Sequence, residues 1–204
     1  MAVSCTGVIL AGGESKRFGG KNKAFIQIGG KRIIDRLLDV YSRVFDQIVV
    51  VTNDPDNYLD TDALLVSDHF PARSSLNGLH AGLFAAKYEY AFFTACDTPF
   101  ARERLIRHLV SVVDNKADIV LPSTAAGFEP LFALYRKSCL PAMAGQLEND
   151  RVKISGLFRK VKVKTVNEEE LRAVDPELVS FFNINTPEDL NLAEEHLTTF
   201  QKGE

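Results

Sequence analysis

The residues best suited to chemistry in this chain stand near its start. Leu10-Ala11-Gly12-Gly13-Glu14-Ser15-Lys16-Arg17-Phe18-Gly19-Gly20-Lys21-Asn22-Lys23 follows directly on the apolar run Gly7 to Leu10. Glycines lack a Cβ, so backbone N–H groups can approach phosphate oxygens, while Arg17 and Lys23 supply positive charge that amides alone lack. The end of a first strand is also where an open α/β sheet forms its ligand crevice. The stretch is therefore a candidate cradle for a triphosphate. Two familiar phosphate loops do not match it. A Walker A loop requires GxxxxGK followed by Ser or Thr, but Ser15 stands at its first glycine and Asn22 follows Lys21; GxGxxG does not occur.

Asp97 lies in Cys96-Asp97-Thr98-Pro99, just after the apolar run Ala91 to Ala95. Alone it reads as an Asx-turn residue before Thr98-Pro99. Beside a triphosphate loop it reads better as a hard oxygen ligand for Mg²⁺. Asn183 and Asn185 are either turn and capping residues or, two apart at a strand end, share a face that touches a second substrate or the metal. The segment Arg151 to Lys164 carries Arg151, Lys153, Arg159, Lys160, Lys162 and Lys164 with no acid, so it is a solvated face or a contact for an anionic substrate. His80 reads as a packed or capping histidine. Cys96 reads as a small core residue, since nothing near it in sequence would lower its pKa.

The elements that must position these residues alternate along the chain. Gly7 to Leu10 reads as a strand, and Ile33, Ile34, Leu37, Leu38, Tyr41, Val44 and Phe45 recur at helical spacing. Ile48 to Val51 is a second strand closed by Asn53-Asp54-Pro55, and Leu64 to Val66 a short third. A helix is expected over Leu79 to Tyr88, a strand over Ala91 to Ala95, and a helix through Leu105, Ile106, Leu109, Val110 and Val113. Strands at Ile119 to Leu121, Leu131 to Tyr135 and Val161 to Val166 follow. Thr186 suits an N-cap and Pro187 the first position of a last helix running to about His196. The pattern predicts a three-layer α/β fold with a mostly parallel central sheet, residues 1–204 forming a single domain.

Composition narrows the function classes. A chain of 204 residues, 46% hydrophobic and 25% charged, is a soluble globular one, and it holds no apolar run long enough to span a bilayer. The start lacks the features of a signal peptide, so a cytoplasmic location is expected. A net charge of −3 provides no overall attraction for nucleic acid, leaving anionic ligands to be met locally. Cys5, Cys96 and Cys139 are odd in number and widely spaced, which excludes a CxxC redox or zinc motif.

The opening stretch resembles the LAGGxSxRxGxxxK signature of the molybdenum cofactor guanylyltransferase family within the nucleotidyltransferase superfamily. The resemblance extends to Asp68, to Gly78-Leu79-His80-Ala81-Gly82, to Cys96-Asp97-Thr98-Pro99, to Glu129-Pro130-Leu131-Phe132-Ala133-Leu134-Tyr135 and to Asn183-Ile184-Asn185-Thr186-Pro187-Glu188-Asp189. It implies a nucleotide-diphospho-sugar transferase (Rossmann-like) fold. It also implies an enzyme transferring GMP from MgGTP to the terminal phosphate of molybdopterin, with loss of pyrophosphate. Leu10, Ala11, Gly12, Gly13 and Gly78 would then contact the nucleotide, Lys23 its phosphates, Asp68 the guanine or ribose, and Asp97 the Mg²⁺. Arg17, Lys23 and Asp97 would be catalytic. Arg151, Lys153, Asn183 and Asn185 would meet the acceptor. Two positions depart from the pattern: Thr52, followed by Asn53, replaces a nucleotide-contact asparagine, and Asn22 replaces an aspartate. Rival readings are a molybdopterin cytidylyltransferase, a sugar-phosphate nucleotidyltransferase and a non-catalytic nucleotide-binding regulator. Gly12, where cytidylyl relatives commonly carry alanine, favours guanine. The implied partners are GTP and molybdopterin, with transient contacts to other cofactor-biosynthesis or recipient proteins; neither nucleic acid nor membrane is expected.

Overall fold

The structure, a computed structural model, describes residues 3–12, 22–114, 116–195 and 197. Gly13 and Arg17 lie outside the described residues. The main sheet contains β1 (Cys5–Leu10), β4 (Ile48–Val51), β5 (Leu64–Val66), β6 (Tyr90–Ala95), β7 (Ile119–Thr124), β8 (Gly127–Phe128), β9 (Ala133–Arg136) and β10 (Val163–Val166). Its order is β10-β7-β9-β6-β1-β4-β5, with β8 paired only to β7. A separate two-stranded ribbon joins β2 (Gln27–Ile28) to β3 (Lys31–Arg32).

Strand alternation produces two cores. Ile9, Val50 and Phe92 point to one face and Val8, Val49 and Phe93 to the other, as the period of two requires. The first face is covered by α1 (Ile33–Val44), α3 (Glu103–Ser111), α5 (Glu168–Val174) and α6 (Pro187–Glu195), and the second by α2 (Ser75–Ala85) and α4 (Leu140–Leu147). This is the expected three-layer arrangement. β1, β4, β5 and β6 run parallel, as do β7 and β10. The exception is β9, antiparallel to both β6 and β7 because the hairpin through β8 reverses the chain.

Several boundaries differ from the sequence reading. α2 starts at Ser75 rather than Leu79, because the Ser74 hydroxyl accepts from the Asn77 N–H (3.2 Å) and caps the helix earlier. It stops at Ala85, before Tyr88. β9 starts at Ala133 rather than Leu131, since the Phe132 N–H turns back to the Glu129 carbonyl (3.0 Å). β10 begins at Val163 rather than Val161. The last helix holds its expected cap: the Thr186 hydroxyl accepts from the Asp189 N–H at 3.2 Å. Among the described residues no helix is long and apolar enough to cross a membrane.

Candidate active site

Strand register aligns one row of residues at the C-terminal edge of the sheet. Leu10 pairs with both Val51 and Ala95, and Val51 pairs with Val66. The residues just past that row therefore emerge together: Ala11-Gly12, Thr52-Asn53, Ser67-Asp68 and Cys96-Asp97. Chain order changes direction between β1 and β6, the switch point where an α/β sheet opens a crevice.

An open cavity of about 770 Å³ occupies this crevice. Leu10, Gly12, Thr52, Asn53, Asp68 and Gly78 line it, with Lys23 and Asp97. The Asn53 amide donates to Asp68 Oδ2 (3.1 Å), so the pair forms one polar edge. Asn53 thus holds the edge that Thr52 does not: Thr52 is buried and its hydroxyl accepts from the Asp54 N–H (3.1 Å). Burial raises the Asp68 carboxyl above its ordinary pKa, opposed by the Asn53 hydrogen bond. Ser74 and Ser75 also line the cavity, where the positive end of α2 favours an anion. The sequence reading missed both; a serine just before a helical run is the cap signal that marks them.

A second cavity, about 580 Å³, adjoins the first, and the two share Ala95, Asp97 and Leu131. Glu129, Pro130, Phe132, Phe181, Asn183 and Asn185 complete much of its wall. Lys23 sits at the seam. Its ammonium donates to Asn185 Oδ1 (2.8 Å) and to Asp97 Oδ2 (3.3 Å). The Lys23–Phe25 turn that presents it is capped by Asn22, whose Oδ1 accepts from the Ala24 N–H (3.0 Å). The Asn22 Nδ2 donates to the Tyr58 hydroxyl (3.0 Å), which donates in turn to the Ala11 carbonyl (3.4 Å). Asn22 thus accepts with its oxygen and donates with its nitrogen, whereas an aspartate here could only accept. Ala11 is buried and serves through its backbone, its N–H bonding the Val51 carbonyl at 2.8 Å.

Asn183 and Asn185 do share a cavity, but on irregular backbone rather than a strand end. The 3₁₀ turn Val179–Phe181 precedes them and the α6 cap follows, leaving no strand partner. Buried Ile184 donates from its N–H to the Asp97 carbonyl (2.9 Å), fastening the segment to the end of β6. Arg151 and Lys153 are exposed and line neither cavity. Burial, with Asp97 adding to it, pushes the Cys96 thiol up to about 12, which suits a core residue and not a nucleophile. His80 is packed among His69, Phe70 and Phe84.

Among the described residues no three His, Cys, Asp or Glu side chains gather as a self-sufficient metal site. The donor set does fit a hard divalent cation that takes most of its ligands from phosphate and water. Oxygens from two distant segments, Asp97 and Asn185, converge on a single cationic group, the Lys23 ammonium.

Residues 7–165 match the model of the MobA-like NTP transferase domain. The molybdenum cofactor guanylyltransferase of Desulfosudis oleivorans is 48% identical, the match covering 93% of this chain and 94% of that one. A probable molybdenum cofactor guanylyltransferase of Natranaerobius thermophilus is 38% identical over 97% of this chain and 98% of its own. The crystal structure of molybdopterin-guanine dinucleotide biosynthesis protein A from Archaeoglobus fulgidus superposes with a TM-score of 0.84 at 30% identity, covering 95% of this chain and 99% of that one. With a crevice at the switch point, a second cavity joined to it and relatives of this kind over nearly its whole length, the chain is a nucleotidyltransferase and belongs to the molybdenum cofactor guanylyltransferase family.

Proposed function

We propose that this chain, acting in the cytoplasm as one domain over residues 1–204, transfers GMP from MgGTP to the terminal phosphate of molybdopterin and releases pyrophosphate. The observation that supports this reading best is the pair of cavities meeting at Asp97, with Lys23 spanning their seam. A transfer between two bound molecules needs two sites that open on one point.

The first cavity takes the nucleotide. Leu10, Gly12, Thr52, Asn53 and Gly78 shape it, with Ala11 as backbone support and Gly13 from the glycine stretch. The Asp68 carboxylate accepts from the N1–H and 2-amino groups of guanine. Lys23 and Arg17 bind the triphosphate; an ammonium has three donors, so Lys23 keeps one beyond its bonds to Asp97 and Asn185. Asn183 and Asn185 orient the acceptor phosphate, and Arg151 and Lys153 attract it from solvent. Asp97, supported by Asn185, holds the Mg²⁺, which when bound neutralises phosphate oxygens. The acceptor phosphate is already ionised and needs no general base, so alignment and fixed charge supply most of the barrier lowering.

Thermal denaturation with GTP, CTP, ATP or UTP, each with Mg²⁺, tests the nucleotide. Binding at 100 times Kd stabilises by about 2.7 kcal/mol, a rise of roughly 5–10 °C for a chain of this size. GTP is expected to produce that rise and the other three much less; a CTP preference would discard guanylyl transfer. Asp97→Ala is expected to lower kcat by about 100-fold or more while the GTP-dependent rise survives. Undiminished turnover in that variant would refute the role of Asp97.

A further inference from the structure

The second cavity contains a carboxylate that the transfer chemistry leaves unused. Glu129 lies on the turn between β8 and β9, held by its N–H to the Pro122 carbonyl (3.0 Å) and by its carbonyl to the Phe132 N–H (3.0 Å). Thr124 lies beside its side chain and opposes the effect of burial, which raises its pKa above the ordinary value. A carboxylate offers about four acceptor sites, more than one neighbouring hydroxyl can fill. Partial burial makes those open sites costly unless a ligand brings donors.

The surroundings restrict what that ligand is. Pro130, Leu131, Phe132 and Phe181 give the cavity apolar walls with two aromatic rings, which meet edge to face at 5.0 Å and 67°. Such walls suit a planar heterocycle. A carboxylate repels phosphate, so the phosphate of an acceptor belongs with Lys23 and Asn185, and Glu129 is left to the ring. A pterin presents its ring N3–H and its 2-amino N–H side by side, matched to the two oxygens of one carboxylate. Guanine presents the same edge, and the first cavity has its own half-buried carboxylate, Asp68. The two cavities thus repeat one recognition device at the two ends of the product.

We propose that Glu129 sets acceptor specificity by accepting from the N3–H and 2-amino groups of the pterin ring, an assignment resting on molybdopterin as the acceptor. The test is steady-state transfer from GTP to molybdopterin by the full chain, with 6-hydroxymethylpterin or 6-hydroxymethyllumazine as competitor. The lumazine carries an oxygen where the pterin carries the 2-amino group. Loss of one such hydrogen-bonding group costs about tenfold or more. The wild type is expected to be inhibited at least that much more strongly by the pterin. Glu129→Gln, nearly isosteric, is expected to raise the molybdopterin KM about tenfold, to lose the pterin preference and to keep the GTP-dependent thermal shift. Glu129→Asp, retaining the charge, is expected to keep the preference. Equal inhibition of the wild type by both competitors, or an unchanged KM in Glu129→Gln, overturns the assignment while leaving guanylyl transfer intact. Absence of wild-type turnover with molybdopterin overturns the acceptor reading and this proposal with it.

Discussion

The two half-buried carboxylates, Asp68 and Glu129, are both pushed up by burial. Free of ligand, Asp68 is a liability: burial disfavours its charged form, so its folded pKa lies above the unfolded one. A raised carboxyl contributes stability that is present below the unfolded pKa and is lost as pH rises through the folded pKa. At neutral pH the charge therefore costs stability, and the ligand is what offsets it. Asp68→Asn is expected to melt no lower than the wild type at pH 7, with the difference between the two shrinking as pH falls through the carboxylate range. The same substitution is expected to weaken GTP by about tenfold, since an amide accepts only one of the two guanine donors. Melting curves across pH, with and without MgGTP, read both effects. A variant that melts lower at pH 7 and binds GTP normally would show Asp68 to be a structural residue only.

At the scale of elements, α2 couples the nucleotide cavity to the core. Its N-terminal turn brings Ser74, Ser75 and Gly78 to the cavity, and its last turn packs on the sheet. A Cβ at Gly82 would come within 2.5 Å of Val8 Cγ1, 3.0 Å of Phe93 Cε1 and 3.1 Å of Val51 Cγ2. The glycine is what lets the helix lie this close to β1, β4 and β6. Gly82→Ala forces the helix outward, an overpacking cost of about 1–3 kcal/mol, and is expected to lower Tm by roughly 2–12 °C while weakening GTP. Gly145 in α4 is the control, because a Cβ there meets nothing within 4 Å. Gly145→Ala gains helix propensity and is expected to raise Tm by about 2–4 °C. Equal responses at the two glycines would refute the close approach of α2.

Across the whole molecule, one buried ion pair ties the acceptor side together. Arg102, at the start of α3, meets Asp175 at 2.9 Å, with side chains 6% and 0% exposed. Its N–H donates to the Ser180 hydroxyl (3.1 Å), and the Ser180 N–H donates to Asp175 Oδ2 (3.0 Å). This clamp fixes the chain just before Asn183 and Asn185. Removing one partner of a buried pair strands the other charge at a cost of about 3–5 kcal/mol. Asp175→Ala is therefore expected to lower Tm by roughly 6–20 °C, read by thermal denaturation. Below that melting temperature, the KM for molybdopterin is expected to rise more than the KM for GTP, because Asn185 rides on the clamped segment. Equal changes in the two constants would place the clamp outside acceptor positioning.

Much of this was legible in the amino-acid order. The apolar runs at Gly7 to Leu10, Ile48 to Val51 and Ala91 to Ala95 announce strands, and Thr186-Pro187 announces a capped helix, because such signals depend on neighbours a few residues away. Asp97 could be placed at the end of a strand for the same reason. Only the tertiary structure decided which strand ends adjoin: Leu10 beside both Val51 and Ala95. It also decided that Lys23 meets Asn185, 162 positions later, and that Glu129 turns into a second cavity. Contacts of that kind follow from strand pairing and register, which the burial of two whole cores determines and no local stretch encodes. The reversed β9 belongs with them, since a run of apolar residues reads alike in either direction.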